Sequence, residues 1–295
     1  MSHLTTAGAP RSAPEGVSPG GGGGGGWGRL GLGVPGYAHP LLAPAEWAGL
    51  TRPGAPLHWV VLNVAGGPGD RPDPHCLAAA GRLNNAGVRV LGHLDLAHGE
   101  RPFGEVITDA QRYLEWYRVG GFLLDRAPVE RAALAAVRRT TATLEAVLEG
   151  GFLVLGHGSH PYPGYAEAAD QLVTFSGPWT EYRWSQAAPW TADHPPERFA
   201  HFVHGVPRTR LERAIRIARW QGAGTVFFTD RTDRTDRLGG GTGRIGGRAD
   251  RVGGPGRPLG GPDRPESQKV RIGPYETLPG YWDEIVSRIG PGVSE

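Results

Sequence analysis

Breaking a glycosidic bond takes two carboxyl groups, one to protonate the leaving oxygen and one to serve as nucleophile or base. Three aspartates of this chain sit directly after short apolar runs, where such groups are commonly carried. Asp125 ends GFLLD, Asp230 ends TVFFTD, and Asp95 follows VRVLGHL. Asp125 is the first candidate because it closes the most apolar run, Asp230 the second and Asp95 the third. Glu181 lies further along, in WTEY. Tyr37, His39, Asn63, His93, His157, Ser176 and His204 also follow apolar runs. From these, Tyr37, Asn63, His93, His157, Ser176 and His204 are taken as substrate-binding candidates, together with Trp179 and Tyr182. Aromatic rings suit a sugar because its C–H faces stack on them, and Tyr162, Trp184 and Trp190 belong to the same aromatic group.

Each member also has a plainer reading. Asn63 precedes VAGGPG and could open a turn. A single histidine is more often a hydrogen-bonded core residue than a ligand. Asp125 comes three residues before Pro128 and a long helical pattern, so it could cap a helix. Half of the aromatic group suits peripheral packing. His93, Asp95, His157 and His204 could instead gather around a metal ion, but no His-x-His pair marks the first strand. Ser176 in TFSGP lacks the G-x-S-x-G elbow of a serine nucleophile. No cofactor and no metal are expected.

The elements that would position these residues recur along the chain. Apolar runs read 30–35 (LGLGVP), 59–63 (WVVLN), 88–94 (VRVLGHL), 121–125 (GFLLD), 152–157 (FLVLGH), 172–175 (LVTF), 201–204 (HFVH) and 225–230 (TVFFTD). Continuous rather than alternating apolarity marks strands buried on both faces, as in parallel sheets. Helical patterns fill the gaps at 44–50, 74–86, 103–119, 129–148, 207–220 and 278–289, while the connections 161–170 and 178–189 are weaker. The first run leads into GYAHP rather than a glycine-rich phosphate loop. The spacing therefore predicts an α/β fold, a closed (β/α)8 TIM-type barrel, whose site lies at the C-terminal ends of the strands.

Composition bounds the rest. The 295 residues include 49 Gly and 27 Pro, and 22 of the Gly fall in a Gly-rich tail (1–28) and an Arg/Gly/Asp-rich insert (231–273). Both lack apolar residues to bury and are expected to stay disordered, which leaves a barrel domain over 29–290 interrupted by the insert. The insert holds ten Lys/Arg against five Asp/Glu, so the net charge of +2 leaves the remainder slightly acidic. That balance gives no nucleic-acid surface. The insert has an RGG-like look, but its interleaved Asp and lack of aromatics favour a tolerated loop expansion. A single cysteine, Cys76, excludes an intrachain disulfide and a zinc site built from cysteines. No run reaches the ~18 apolar residues of a membrane span. As written the chain reads as cytoplasmic, and a start further upstream would leave room for an export signal. Its oligomeric state is not legible.

Taken in order, VPGYAHP, VVLNVAGGPGDRPD, AGVRVLGHLDLAHGER, YLEWYRVGGFLLD, FLVLGHG, ADQLVTFSG, HFVHG, FFTD and YETLPGYWDEIV resemble the spherulin-4 (spherulation-specific family 4) proteins over about residues 31–290. The resemblance implies a (β/α) barrel and a glycoside hydrolase of galactosamine-containing polysaccharide, working through strand-end carboxylates. Its partner would be a polysaccharide or oligosaccharide. The family pattern carries over at Asp125. It is broken at Arg126 and Ser176, where the family has Glu, and at His93, where it has Tyr. An Arg beside Asp125 is expected to hold it ionised, with Asp230, Asp95 or Glu181 supplying the missing acid. The lost carboxylates equally suit a catalytically silent barrel that binds a saccharide or a protein.

Overall fold

The computed structural model describes residues 29–36, 38–148, 150–232, 273–275 and 277–290. The expected tail, Tyr37 and nearly all of the insert lie outside the described residues. Eight parallel strands close into a barrel in chain order: β1 (Gly31–Gly36), β2 (Leu57–Leu62), β3 (Arg89–Asp95), β4 (Gly121–Asp125), β5 (Phe152–Gly156), β6 (Gln171–Pro178), β7 (Phe199–His204) and β8 (Thr225–Phe228). The helices are α1 (Pro44–Leu50), α2 (Pro74–Asn85), α3 (Phe103–Tyr117), α4 (Leu134–Leu148), α5 (Trp179–Tyr182), α6 (Leu211–Trp220) and α7 (Trp282–Ile289). The two weak connections are indeed short of helix. A 3-10 stretch at Pro163–Glu167 joins β5 to β6, and only α5 and two 3-10 turns join β6 to β7. Among the described residues no helix is long and apolar enough to cross a membrane.

Local chemistry explains the elements. Asp73 caps α2 by accepting the amides of His75 and Cys76 at 2.9 Å each, with Pro74 at the first helical position. Val106, Ala110, Tyr113 and Tyr117 face the sheet from α3 at helical spacing. Leu211, Ala214, Ile215 and Ala218 do the same from α6. The strands are buried over nearly their whole length, as their unbroken apolar runs predict.

Alternation along the strands decides which side chains enter the barrel. Trp59 points inward: its ring lies 5.8 Å edge-on from Phe202, and its Nε1 donates to Gln171 Oε1 at 2.9 Å. Gln171 in turn donates to Thr225 Oγ1 at 2.9 Å and to the Glu197 carbonyl at 2.8 Å, so this buried polar set is satisfied. A β-carbon at Gly33 would stand 2.4 Å from the Trp59 ring, so only glycine fits there. Outward side chains meet the helices instead. Phe122 contacts Tyr113 of α3, and Phe228 contacts Tyr182 of α5.

Candidate active site

The same alternation sorts the sequence candidates. His93 and Asp95 on β3 share a face with Leu91, opposite Gly92, whose β-carbon would strike Tyr113 of α3. They therefore point into the mouth. Asp125 on β4 points the same way, two residues beyond Leu123, the register partner of His93. His93 Nε2 lies 3.2 Å from Asp125 Oδ2, and Oδ1 of the same carboxylate accepts the Arg126 amide at 2.9 Å. His93 is buried, while the Asp125 side chain remains 39% exposed, enough to meet a ligand.

The Arg126 guanidinium, within electrostatic reach of Asp125, clamps Asp95, with Nε on Oδ1 at 2.8 Å and Nη2 on Oδ2. Burial opposes charge on Asp95, but the Arg126 bonds and the Ala97 amide outweigh it and hold the carboxyl below the usual range. Asp95 is therefore kept ionised and makes a poor proton donor. Arg126 reaches it from a left-handed backbone (φ 48°), and Ala97 (φ 45°) and His98 (φ 57°) in the preceding loop are left-handed too. Such residues each cost on the order of 1 kcal/mol. Here they persist within a network in which Leu96 N donates to Asp125 O at 2.9 Å and His98 N to Arg126 O at 2.8 Å. Arg126→Ala is expected to lower stability at neutral pH by about 1 kcal/mol. A carboxyl with a depressed folded pKa stabilises above its unfolded pKa and loses that contribution as pH falls through the folded value. The variant and wild-type stability curves, followed by urea unfolding, should therefore converge toward acid.

Across the mouth stands Tyr275, from the segment between β8 and α7. Its ring packs against Phe202, His204 and Phe227 at centroid distances of 5.9, 5.8 and 6.2 Å. Its Oη lies 3.3 Å from Ser176 Oγ and donates to the Phe202 carbonyl at 3.3 Å. Burial, aided by the Asp125 charge, pushes the phenol pKa up, so it stays protonated. The mouth thus gathers His93, Asp95, Asp125 and Arg126 on one side and Ser176, His204 and Tyr275 on the other. Tyr275 and the reach of Arg126 were missed in the sequence. Tyr275 does lie in the YETLPGYWDEIV segment, which offered a signal.

Other candidates fall elsewhere. Tyr182 is fully buried outside the strands, its Oη 2.9 Å from His201 Nδ1 and its ring against Phe175. It is a core residue and cannot meet a substrate. Trp179 packs beside it with 7% exposure. His157 turns outward onto the Tyr165 ring at 4.8 Å, because the inward position on β5 is Gly156. Burial lowers the His157 pKa to about 4 despite the nearby backbone of Ala127 and Pro128. Asn63 opens the turn, its Oδ1 accepting the Gly67 amide at 3.1 Å. Asp230 is exposed beyond β8 and holds the Gly280 amide at 3.1 Å. Glu181 approaches the outward side of Gly177, next to Phe175, whereas Ser176 faces the mouth. Among the described residues, His93, Asp95, His157 and His204 do not converge within ligand distance, which removes the metal alternative built on them. Cavities of about 590 and 440 Å³ lie at the opposite end, where the strands begin, and take no part in the mouth.

The profile of the spherulation-specific family 4 proteins matches residues 32–240. The chain belongs to that family. Spherulin-4 of Physarum polycephalum is 23% identical over 145 residues, which are 48% of this chain and 43% of that protein. The match thus spans less than half the length of that relative. The crystal structure of Aspergillus clavatus Sph3 in complex with GalNAc superposes with a TM-score of 0.64, at 21% identity, covering 89% of this chain and 98% of that one. This likeness shows a shared barrel fold. For a member of spherulation-specific family 4, the substituted positions 126 and 176 now have physical accounts. Arg126 neutralises Asp95, and Ser176 partners the Tyr275 phenol. Gly156 has an account as well. A β-carbon there would stand 3.1 Å from Asp125 Oδ1. Gly156→Ala should push the carboxylate off His93, seen as a shift of the His93 ring resonances by NMR, with circular dichroism unchanged.

Proposed function

We propose that this barrel is a glycoside hydrolase acting on an amino-sugar polysaccharide, with Asp125 as the carboxylate that meets the sugar. The observation that carries the reading is the Asp125 side chain itself. It is partly exposed at the C-terminal end of β4, where barrel enzymes hold their chemistry, and is aimed by two hydrogen bonds. An aimed carboxylate can stabilise, or bond to, the anomeric carbon as positive charge develops there. Because Arg126 neutralises Asp95, the net negative charge of this wall rests on Asp125, which suits both that developing positive charge and the ammonium of an unacetylated amino sugar. Asp125 cannot also supply the proton needed by the leaving oxygen, so this reading requires a separate acid at the mouth. Family membership supports a carbohydrate role, and the Sph3 structure, described as a complex with GalNAc, supports an amino sugar.

A second reading, a silent saccharide-binding barrel, is favoured by the Arg126 clamp on Asp95, which leaves Asp125 without an uncommitted carboxylate neighbour on β3. Incubating the purified chain with galactosamine-rich and N-acetylated oligosaccharides separates the two. Released reducing ends support hydrolysis. Saturable binding with no product supports the silent barrel.

A further inference from the structure

On the rim beside β1 and β2, away from Asp125, three metal-ligating side chains of different types come together. His39 leaves the loop after β1, and Asp73 and Cys76 occupy the first turn of α2. His39 Nε2 lies 3.3 Å from Asp73 Oδ2, and the imidazole, carboxylate and thiol ligand atoms all lie within 4.8 Å of one another. Among the described residues this is the one such grouping of three or more. We propose that His39, Asp73 and Cys76 form a binding site for a zinc-class divalent cation.

The donor set fits that class. Imidazole and thiolate select borderline-soft ions such as Zn2+, and three protein ligands leave a fourth position for water. Local structure already orients two of the three. The helix-cap bonds hold Asp73 Oδ1 on the amides of His75 and Cys76, leaving Oδ2 turned to His39. Cys76, three residues past the cap, folds back toward it from the start of the helix, where burial and the Asp73 carboxylate keep the thiol protonated, so an arriving cation has to displace that proton. His39 and Asp73 are each 26% exposed at the side chain and Cys76 is buried, so a cation would enter past His39 and Asp73. The His75 ring stands edge-on 6.1 Å from that of His39. Loading has a defined local cost. The Leu41 amide donates to His39 Nδ1 at 3.2 Å, so Nε2 carries the proton toward Asp73. A cation at Nε2 moves that proton to Nδ1 and breaks the Leu41 bond, and it also displaces the thiol proton.

This proposal stands apart from the reading of the mouth, and its test needs no saccharide. The full-length reduced protein, stripped with a chelator, is titrated with Co2+ and with Zn2+. One equivalent should bind, with a cobalt–thiolate charge-transfer absorption and a rise in melting temperature on adding Zn2+. Cys76→Ser should abolish the charge-transfer absorption. Because Cys76 is buried and its loss could disturb α2, His39→Gln is the second variant. It should keep the metal-free melting temperature and weaken binding at least about tenfold. Absence of the thiolate absorption in the wild type, or binding unchanged in His39→Gln, would overturn the site.

Discussion

Asp125→Asn is expected to reduce release of amino-sugar product about a hundredfold or more, while the barrel melts as the wild type does. The amide is the same size as the carboxylate and can still accept the Arg126 amide, so the fold is not at stake. What disappears is the negative charge opposite the developing positive charge of the sugar. Saccharide affinity measured by calorimetry should change far less than turnover, because the lost interaction belongs to the transition state. Two controls make the assignment specific. Asp230→Asn should leave turnover near the wild-type value, since Asp230 holds the Gly280 amide outside the mouth. Asp95→Asn should lower turnover modestly, by freeing the Arg126 guanidinium to offset the charge of Asp125. Turnover that survived in Asp125→Asn and vanished in Asp230→Asn would move the chemistry to the end of β8.

The second large effect is loss of stability in mild acid, caused by two histidines that the barrel holds neutral. His201 is fully buried between Tyr182 Oη at 2.9 Å and Thr174 Oγ1 at 3.2 Å. Burial, with a smaller contribution from the charge of His160, lowers its pKa to about 3, and burial lowers His157 to about 4. An unfolded histidine takes up its proton near pH 6.5. Between that pH and the folded values the unfolded chain therefore binds more protons, and stability falls as pH falls. Each group contributes at most about 1.4 kcal/mol per pH unit. Over two units the pair approaches the stability of a typical domain, about 5–15 kcal/mol. Guanidinium midpoints measured at pH 7.0, 5.5 and 4.5 (about these values) should drop progressively. His201→Gln should flatten the drop even if it lowers stability at pH 7. A midpoint independent of pH across this window would mean that neither ring is held neutral by the fold.

How much of this was readable beforehand varies with the physics involved. The barrel was legible because a strand buried on both faces must be apolar throughout, and eight such runs alternate with amphipathic helices. Asp125 was legible because a carboxylate that ends such a run has to lie at the strand's C-terminal end. His157 was misplaced, although counting parity from inward Gly156 would have sent it outward. Tyr182 was misread because WTEY has the composition of a sugar-binding rim. Only the packing of α5 against β6 and β7 shows the ring to be core. The Arg126–Asp95 clamp depends on a left-handed arginine, which no local pattern announces. Tyr275 is separated from β8 by the insert, so its place above Phe202 and Phe227 is a long-range contact without a local signal.

The strained loops after β3 and β4 carry an evolutionary implication. Their hydrogen bonds tie Leu96 and His98 to the backbone of Asp125 and Arg126, while Arg126 ties back to Asp95. Neither loop can change length or conformation without disturbing the other, so the wall that carries the charge is a single inherited block. On the opposite wall, Ser176 and His204 sit on the paired strands β6 and β7, and Tyr275 reaches both through its side chain. New substrate preferences should therefore arise there. Libraries randomised at positions 176, 204 and 275 should yield many folded variants with altered sugar choice, whereas libraries at 96–98 and 126 should yield few that fold at all.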